Sequence, residues 1–295
     1  MDAAASVRRF RRCPTTGRGT QRYAGFHQRL SSNNTSGNMH TFTHRTGQHI
    51  DIDGARIYVE TTGQAKGPAL VLLHGGFGTM EDFNTITPAL GRTWRLIGID
   101  TRGHGMSTLG GSTWTYERAQ KDVEQVLKTL GLQKFTLLGF SDGGIAALRL
   151  AALTQVHIDR LVVVGSTWHN KNLASSRAIL SRVTPQSWRE KFPDTYEAYQ
   201  ALNPEPDFDT FGKALIEGWQ DTTASGHPGD AVSDIHCPAL IVRGDEDHLT
   251  TIEDAVELSH RIKGAHLFSV PLAGHVAYDD QVEVFQAGLE DFLQQ

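Results

Sequence analysis

A serine flanked by glycines two residues to either side, Gly139-Phe140-Ser141-Asp142-Gly143, stands between a short apolar run, Phe135 to Leu138, and a segment from Ile145 to Leu153 that reads as a helix. A serine on a sharp strand-to-helix turn is held clear of the sheet with its hydroxyl bare, ready to attack an electrophilic carbon. Glycines are needed on both sides because the turn is strained and the following helix packs close. A serine hydroxyl is a poor nucleophile at neutral pH. It needs a base within hydrogen-bond reach and a third group that fixes the tautomer of the base. The chain supplies both. Gly244-Asp245-Glu246-Asp247-His248 follows the apolar run Ala239 to Val242, and Leu272-Ala273-Gly274-His275 follows the run that ends at Val270. Either aspartate could serve as the orienting acid at this level of reading.

These residues need a scaffold that carries them to one place. From His49 the pattern becomes regular: Ile50 to Val59 alternates as two half-exposed strands around Asp53-Gly54, a strong hairpin signal. Continuous apolar runs then recur at Ala69 to Leu73, Leu96 to Ile99, Phe135 to Leu138, Leu161 to Val164, Ala239 to Val242 and His266 to Val270. Such runs are what parallel strands covered on both faces look like. Helical spacing separates them, at Tyr116 to Leu130 with Gly131 as a stop, and at Val282 to Leu293 near the end. Strands alternating with helices predict an open, mostly parallel eight-stranded α/β sheet flanked by helices. One interval breaks the rhythm. Residues 166–234 hold no buried-strand run but carry Trp168, Trp188, Phe192, Tyr196, Tyr199, Phe208, Phe211 and Trp219. A loop that long without structure would be unusual, so a helical insertion over the sheet edge is expected, with its own aromatic core and some rings lining a pocket roof.

Composition narrows the class. The protein carries a formal net charge of -5, and residues 1–38 hold seven arginines and one aspartate, which leaves -11 for the rest. An acidic body argues against nucleic acid as a partner. No apolar run approaches the roughly 20 residues that span a bilayer, so no membrane association is expected. Cys13 and Cys237 stand far apart, without the spacing of a disulfide framework or a zinc site. A reducing, cytoplasmic location and no metal are the expectations. Residues 1–38 lack apolar periodicity and read as a disordered or non-native extension, although an arginine-rich, acid-poor start also resembles a transit peptide. The core domain is then residues 39–165 and 235–295.

The chain resembles the α/β-hydrolase superfamily from about residue 49 to the end. Besides Gly139 to Gly143, His74-Gly75-Gly76 resembles the family's oxyanion loop, and Asp100-Thr101-Arg102-Gly103-His104-Gly105-Met106-Ser107 resembles its Arg-Gly-His-Gly-x-Ser motif. Ser, Asp and His in that chain order match the family as well. The resemblance implies a helical cap at residues 166–234, Ser141 as nucleophile, His275 as general base, and Asp247 as the acid, since the family's Gly-Asp-x-Asp pattern puts the working acid last; Asp245 is the alternative. It also implies an oxyanion hole made by the backbone amides of Gly76 and Asp142, with Phe77 a possible substitute for Gly76. His74 and His104 are expected to make structural hydrogen bonds.

Gly-x-Ser-Asp-Gly-Gly further resembles the turn of valacyclovirase-like and carboxylesterase-like members. The resemblance implies a serine hydrolase of small carboxylic esters, working through an acyl-enzyme without a cofactor. Phe77 and Asp142 are its candidate substrate contacts, and Asp142 would recognise the α-ammonium of amino-acid esters. The alternative role for Asp142 is to complement the dipole of its helix. Carbon–carbon hydrolases, lactonases and cofactor-free perhydrolases share the same triad, and a ligand receptor on the same scaffold is a reading of another class. A dinucleotide cradle would want an acid ending the next strand, which instead runs Val164-Gly165-Ser166-Thr167. The sequence leaves the oligomeric state open.

Overall fold

Each predicted apolar run forms a strand. The computed structural model describes residues 40–111, 113–170 and 179–295, so the expectations for residues 1–38 lie outside the described residues. Strands β1 (Gln48–Ile52) and β2 (Ala55–Gly63) make the hairpin, turning through Asp53 and Gly54, both at positive φ. Then come β3 (Ala69–Leu73), a 3-10 turn (Met80–Thr85), α1 (Thr87–Leu90), β4 (Arg95–Ile99), α2 (Tyr116–Thr129), β5 (Phe135–Phe140), α3 (Asp142–Leu153) and β6 (Ile158–Val164). The sheet order is β1-β2-β4-β3-β5-β6, continued by β7 (Ala239–Gly244) and β8 (His266–Val270); β1, β2 and β4 pair antiparallel and every other neighbour pair is parallel. Parallel pairing puts the carboxyl ends of β3 to β8 on one edge, the edge that carries every candidate residue.

Alternation along the strands splits the core into two layers. Val71, Leu73, Leu137, Leu161, Val163 and Ile241 face one side with α2 and α3. Leu70, Leu72, Leu138, Val162, Val164 and Val242 face the other, against Met80, Phe83 and the late residues Phe285 and Leu289. β8 departs from expectation. It was expected to be buried on both faces, but only Val270 is buried, because the strand ends the sheet and has a neighbour on one side only.

Between β6 and β7 lie α4 (Pro185–Lys191), α5 (Pro193–Leu202) and α6 (Phe208–Trp219). Phe208, Phe211, Tyr199 and Trp219 cluster there with Phe77 from the β3 loop and with Trp114, Tyr116, Ile145 and Ala146 from the sheet side. Trp168, in contrast, packs into the main core. After β7 follow α7 (Ile252–Arg261), α8 (Ala277–Asp280) and α9 (Val282–Gln294). Among the described residues no helix is long and apolar enough to cross a membrane.

Residues ahead of β1 clamp onto this body. Phe42 is buried, the Thr43 and Arg45 amides donate to the Glu60 carboxylate, and His44 lies between Glu81 and Asp100 at 2.7 Å to each. Burial alone would lower the His44 pKa, but the hydrogen bonds and charges of the two carboxylates outweigh it and push it from 6.5 to about 10. The stacked Tyr58 ring is itself pushed up to about 12 and stays neutral meanwhile. A raised folded pKa stabilises the fold fully below 6.5, and that contribution fades as pH climbs to about 10. The melting temperature of the wild type is therefore expected to fall across this range, and that of His44→Gln to start lower and stay flatter. Parallel curves for the two proteins would contradict the assignment.

Candidate active site

Ser141 occupies the single residue between β5 and α3, at φ 50° and ψ -117°. That backbone is strained for any residue with a side chain and typically costs about 1–3 kcal/mol. Its surroundings hold it: the Ser141 amide donates to Val164 O at 2.9 Å, and its carbonyl accepts from the Gly144 and Ile145 amides and from Ser166 Oγ. Gly139 and Gly143 are required as expected, since a Cβ on Gly139 would strike the Gly143 backbone and one on Gly143 the backbone of Leu73 and His74.

His275 arrives from the loop after β8 with its ring over Gly165, where an added Cβ would come within 3.0 Å of Cε1. Its Nε2 is 3.1 Å from Ser141 Oγ, and its Nδ1 is 3.0 Å from Asp247 Oδ2. Asp247 is buried, and its other oxygen accepts from the Leu249 and Thr250 amides at 2.8 and 3.1 Å. Burial pushes its pKa up, but the His275 charge and these hydrogen bonds prevail and hold it below 3.8. It stays a carboxylate, so it accepts the Nδ1 proton and leaves Nε2 facing the serine. Asp245 is exposed and takes no part in this row.

The β3 loop settles which amides are free. The Phe77 amide, at φ 58°, donates to His104 Nε2 at 3.1 Å and is therefore committed. The Gly76 and Asp142 amides have no acceptor among the described residues. His74 Nε2 accepts from the Thr101 amide at 3.0 Å while its Nδ1 donates to Gly75 O at 2.7 Å. Burial lowers the pKa of both His74 and His104, so two neutral imidazoles brace the loop.

Phe77 turns its ring outward and forms the floor of the insertion contact. It stacks on Trp188 at 4.2 Å between centroids and meets Trp219 edge-on at 5.7 Å. Two residues that sequence reading gave no role at the turn reach Asp142. Tyr116 Oη donates to Oδ1 and Trp219 Nε1 to Oδ2, both at 2.7 Å. Burial raises the Asp142 pKa against the pull of those two donors and of His275. No local pattern marks these donors, which lie 26 and 77 residues away along the chain.

Residues 68–215 match a family model described as alpha/beta hydrolase fold, and residues 212–295 match one described as TAP-like protein. The chain is 29% identical over 262 residues to "Serine hydrolase BPHL" of Homo sapiens, covering 84% of this chain and 87% of the relative. It is 26% identical over 252 residues to "3-oxoadipate enol-lactonase 1" of Acinetobacter baylyi, covering 79% and 91%. A hydrolase of known structure from Pseudomonas aeruginosa PA01 shares the fold at a TM-score of 0.66 and 24% identity, over 84% of this chain and 98% of that one.

Proposed function

The chain belongs to the α/β-hydrolase family, and from that premise we propose that this enzyme is a serine hydrolase of small carboxylic esters working through an acyl-enzyme. The observation that carries the reading is the unbroken row Ser141 Oγ, His275 Nε2, His275 Nδ1 and Asp247 Oδ2, with links of 3.1 and 3.0 Å. Ser141 Oγ attacks the ester carbonyl as its proton passes to His275 Nε2. The carbonyl oxygen becomes an oxyanion in reach of the Gly76 and Asp142 amides, each typically worth a few kcal/mol in such a role. Collapse expels the alkoxide, which leaves as the alcohol with the proton held by His275. Water then attacks the acyl-enzyme by the same path, frees the acid and restores Ser141. Residues 166–234 act as a cap, with Phe77, Trp188 and Trp219 as the apolar wall met by the acyl or alcohol group.

Asp142 favours α-amino-acid esters within that class. A carboxylate beside the nascent oxyanion opposes the charge that develops there, and a bound ammonium cancels the penalty. Two donors occupy one lone pair on each oxygen, which leaves acceptor capacity for a third partner. Asp142→Asn is expected to raise KM for aminoacyl esters about 10- to 100-fold and that for matched acetyl esters less than about threefold. An equal rise on both would return Asp142 to a structural role.

The test of the reading is a purified-enzyme panel of aminoacyl, short-chain acyl, aryl and lactone esters, with a fluorophosphonate adduct sought at Ser141 by mass spectrometry. Turnover together with a Ser141 adduct is expected. Lactone opening alone would narrow the leaving group to a tethered one, and no turnover of any ester would overturn the proposal.

A further inference from the structure

We propose that Tyr116 and Trp219 are positioning residues of the oxyanion site: by gripping both oxygens of the Asp142 side chain, they fix the Asp142 amide and the Gly76 loop beside it. The proposal rests on the reading of Ser141 as nucleophile given above.

Asp142 opens α3, where an acidic side chain commonly serves its own helix end. Here the helix receives no side-chain cap at its first turn. The carboxylate instead turns outward to donors from two distant elements, the first residue of α2 and the last residue of α6, both at 2.7 Å. Both donors are buried, with Tyr116 at 2% and Trp219 at 8% exposure, so water does not readily substitute for either.

Gly76 completes the arrangement. A side chain there would collide with Asp142 Oδ2 and come within 2.9 Å of Trp219 Cζ2. The two residues whose amides are free thus touch through the carboxylate, and the Trp219 ring closes over both. A clamp at two points stops the Asp142 side chain from rotating, and through it the first turn of α3 and the β3 loop hold a fixed separation. Losing one donor leaves a buried carboxylate short of a partner, and the least costly relief is a tilt of that turn. A displacement near 1 Å can cost up to about 100-fold in rate. Because Trp219 ends α6, the same contact ties the insertion to the nucleophile turn, so a shift of the roof is felt at the oxyanion.

The test uses Tyr116→Phe and Trp219→Phe in the full-length enzyme on a neutral acetyl ester, which removes any part that Asp142 plays in binding a substrate cation. Tyr116→Phe deletes one oxygen and keeps the ring, so it stands as the check should Trp219→Phe fold poorly. Each variant is expected to lose about 10-fold in kcat, and Tyr116→Phe, outside the apolar wall, to keep KM within about twofold. Affinity for an arylboronic acid, whose serine adduct is tetrahedral, should fall by the same factor as kcat/KM. Unchanged kcat and boronate affinity in Tyr116→Phe would overturn the proposal, as would a loss in that variant confined to KM or one that tracks the unfolded fraction in a thermal melt. Failure of the wild type itself to form a Ser141 adduct would remove the underlying reading, an outcome separable from the other three because it appears before any variant is made.

Discussion

Ser141→Ala is expected to fold as the wild type does and to lose at least about 10⁴-fold in kcat on any ester the enzyme turns over, with no acyl-enzyme burst. The fold should survive because the bonds that hold the turn come from the Ser141 backbone to Val164, Gly144, Ile145 and Ser166, and alanine retains all of them. Among the described residues its side chain bonds to His275 Nε2, and the loss of that bond leaves an imidazole that is still held by Asp247. Residual rate should come from the free amides and from binding alone. Stopped-flow release of a chromogenic alcohol, with melting temperature measured alongside, separates lost chemistry from lost structure. A variant that keeps a tenth of wild-type turnover would mean that another group attacks the substrate.

The second large effect is expected at Asp247. Asp247→Asn preserves shape, and its side-chain oxygen can still take the Leu249 and Thr250 amides now bound by Oδ1. Its NH2 then faces His275 Nδ1 and forces the proton onto Nε2, where it points at Ser141 and blocks proton transfer. A loss of about 10³- to 10⁴-fold in kcat follows, with little change in KM. Asp245→Asn, at an exposed position outside the row, serves as the comparison and should stay within about twofold. Steady-state kinetics of the two variants decide between the aspartates. A larger loss in Asp245→Asn than in Asp247→Asn would reverse their roles.

The scaffold was legible because its signals are local. Buried parallel strands require unbroken apolar runs, and those runs gave β3 to β7 with ends within three residues of the observed ones. Asp53-Gly54 named its own hairpin, and Gly139 and Gly143 named the strained turn, since only a missing Cβ allows that approach. The meeting of Ser141 and His275 was legible for a related reason: Ser141 directly follows β5 and His275 lies in the short loop after β8, so chain order and strand ends already place them on one edge. β8 misled because an apolar run reports hydrophobicity and not which side of the sheet ends there.

What the letters could not give is any choice that depends on partners distant in the chain. Asp245 and Asp247 differ by two positions in one loop, and only the course of that loop buries one and exposes the other. Whether the Gly76 or the Phe77 amide is left free is decided only by His104, which accepts from the Phe77 amide. His44 looks like an ordinary residue ahead of the first strand until folding places it between two carboxylates, and Asp142 looks like a helix-dipole acid until Tyr116 and Trp219 reach it. Propensity and spacing act within a few residues. Hydrogen-bond partners of buried polar groups are assigned by three-dimensional proximity, which the sequence encodes only through the whole fold.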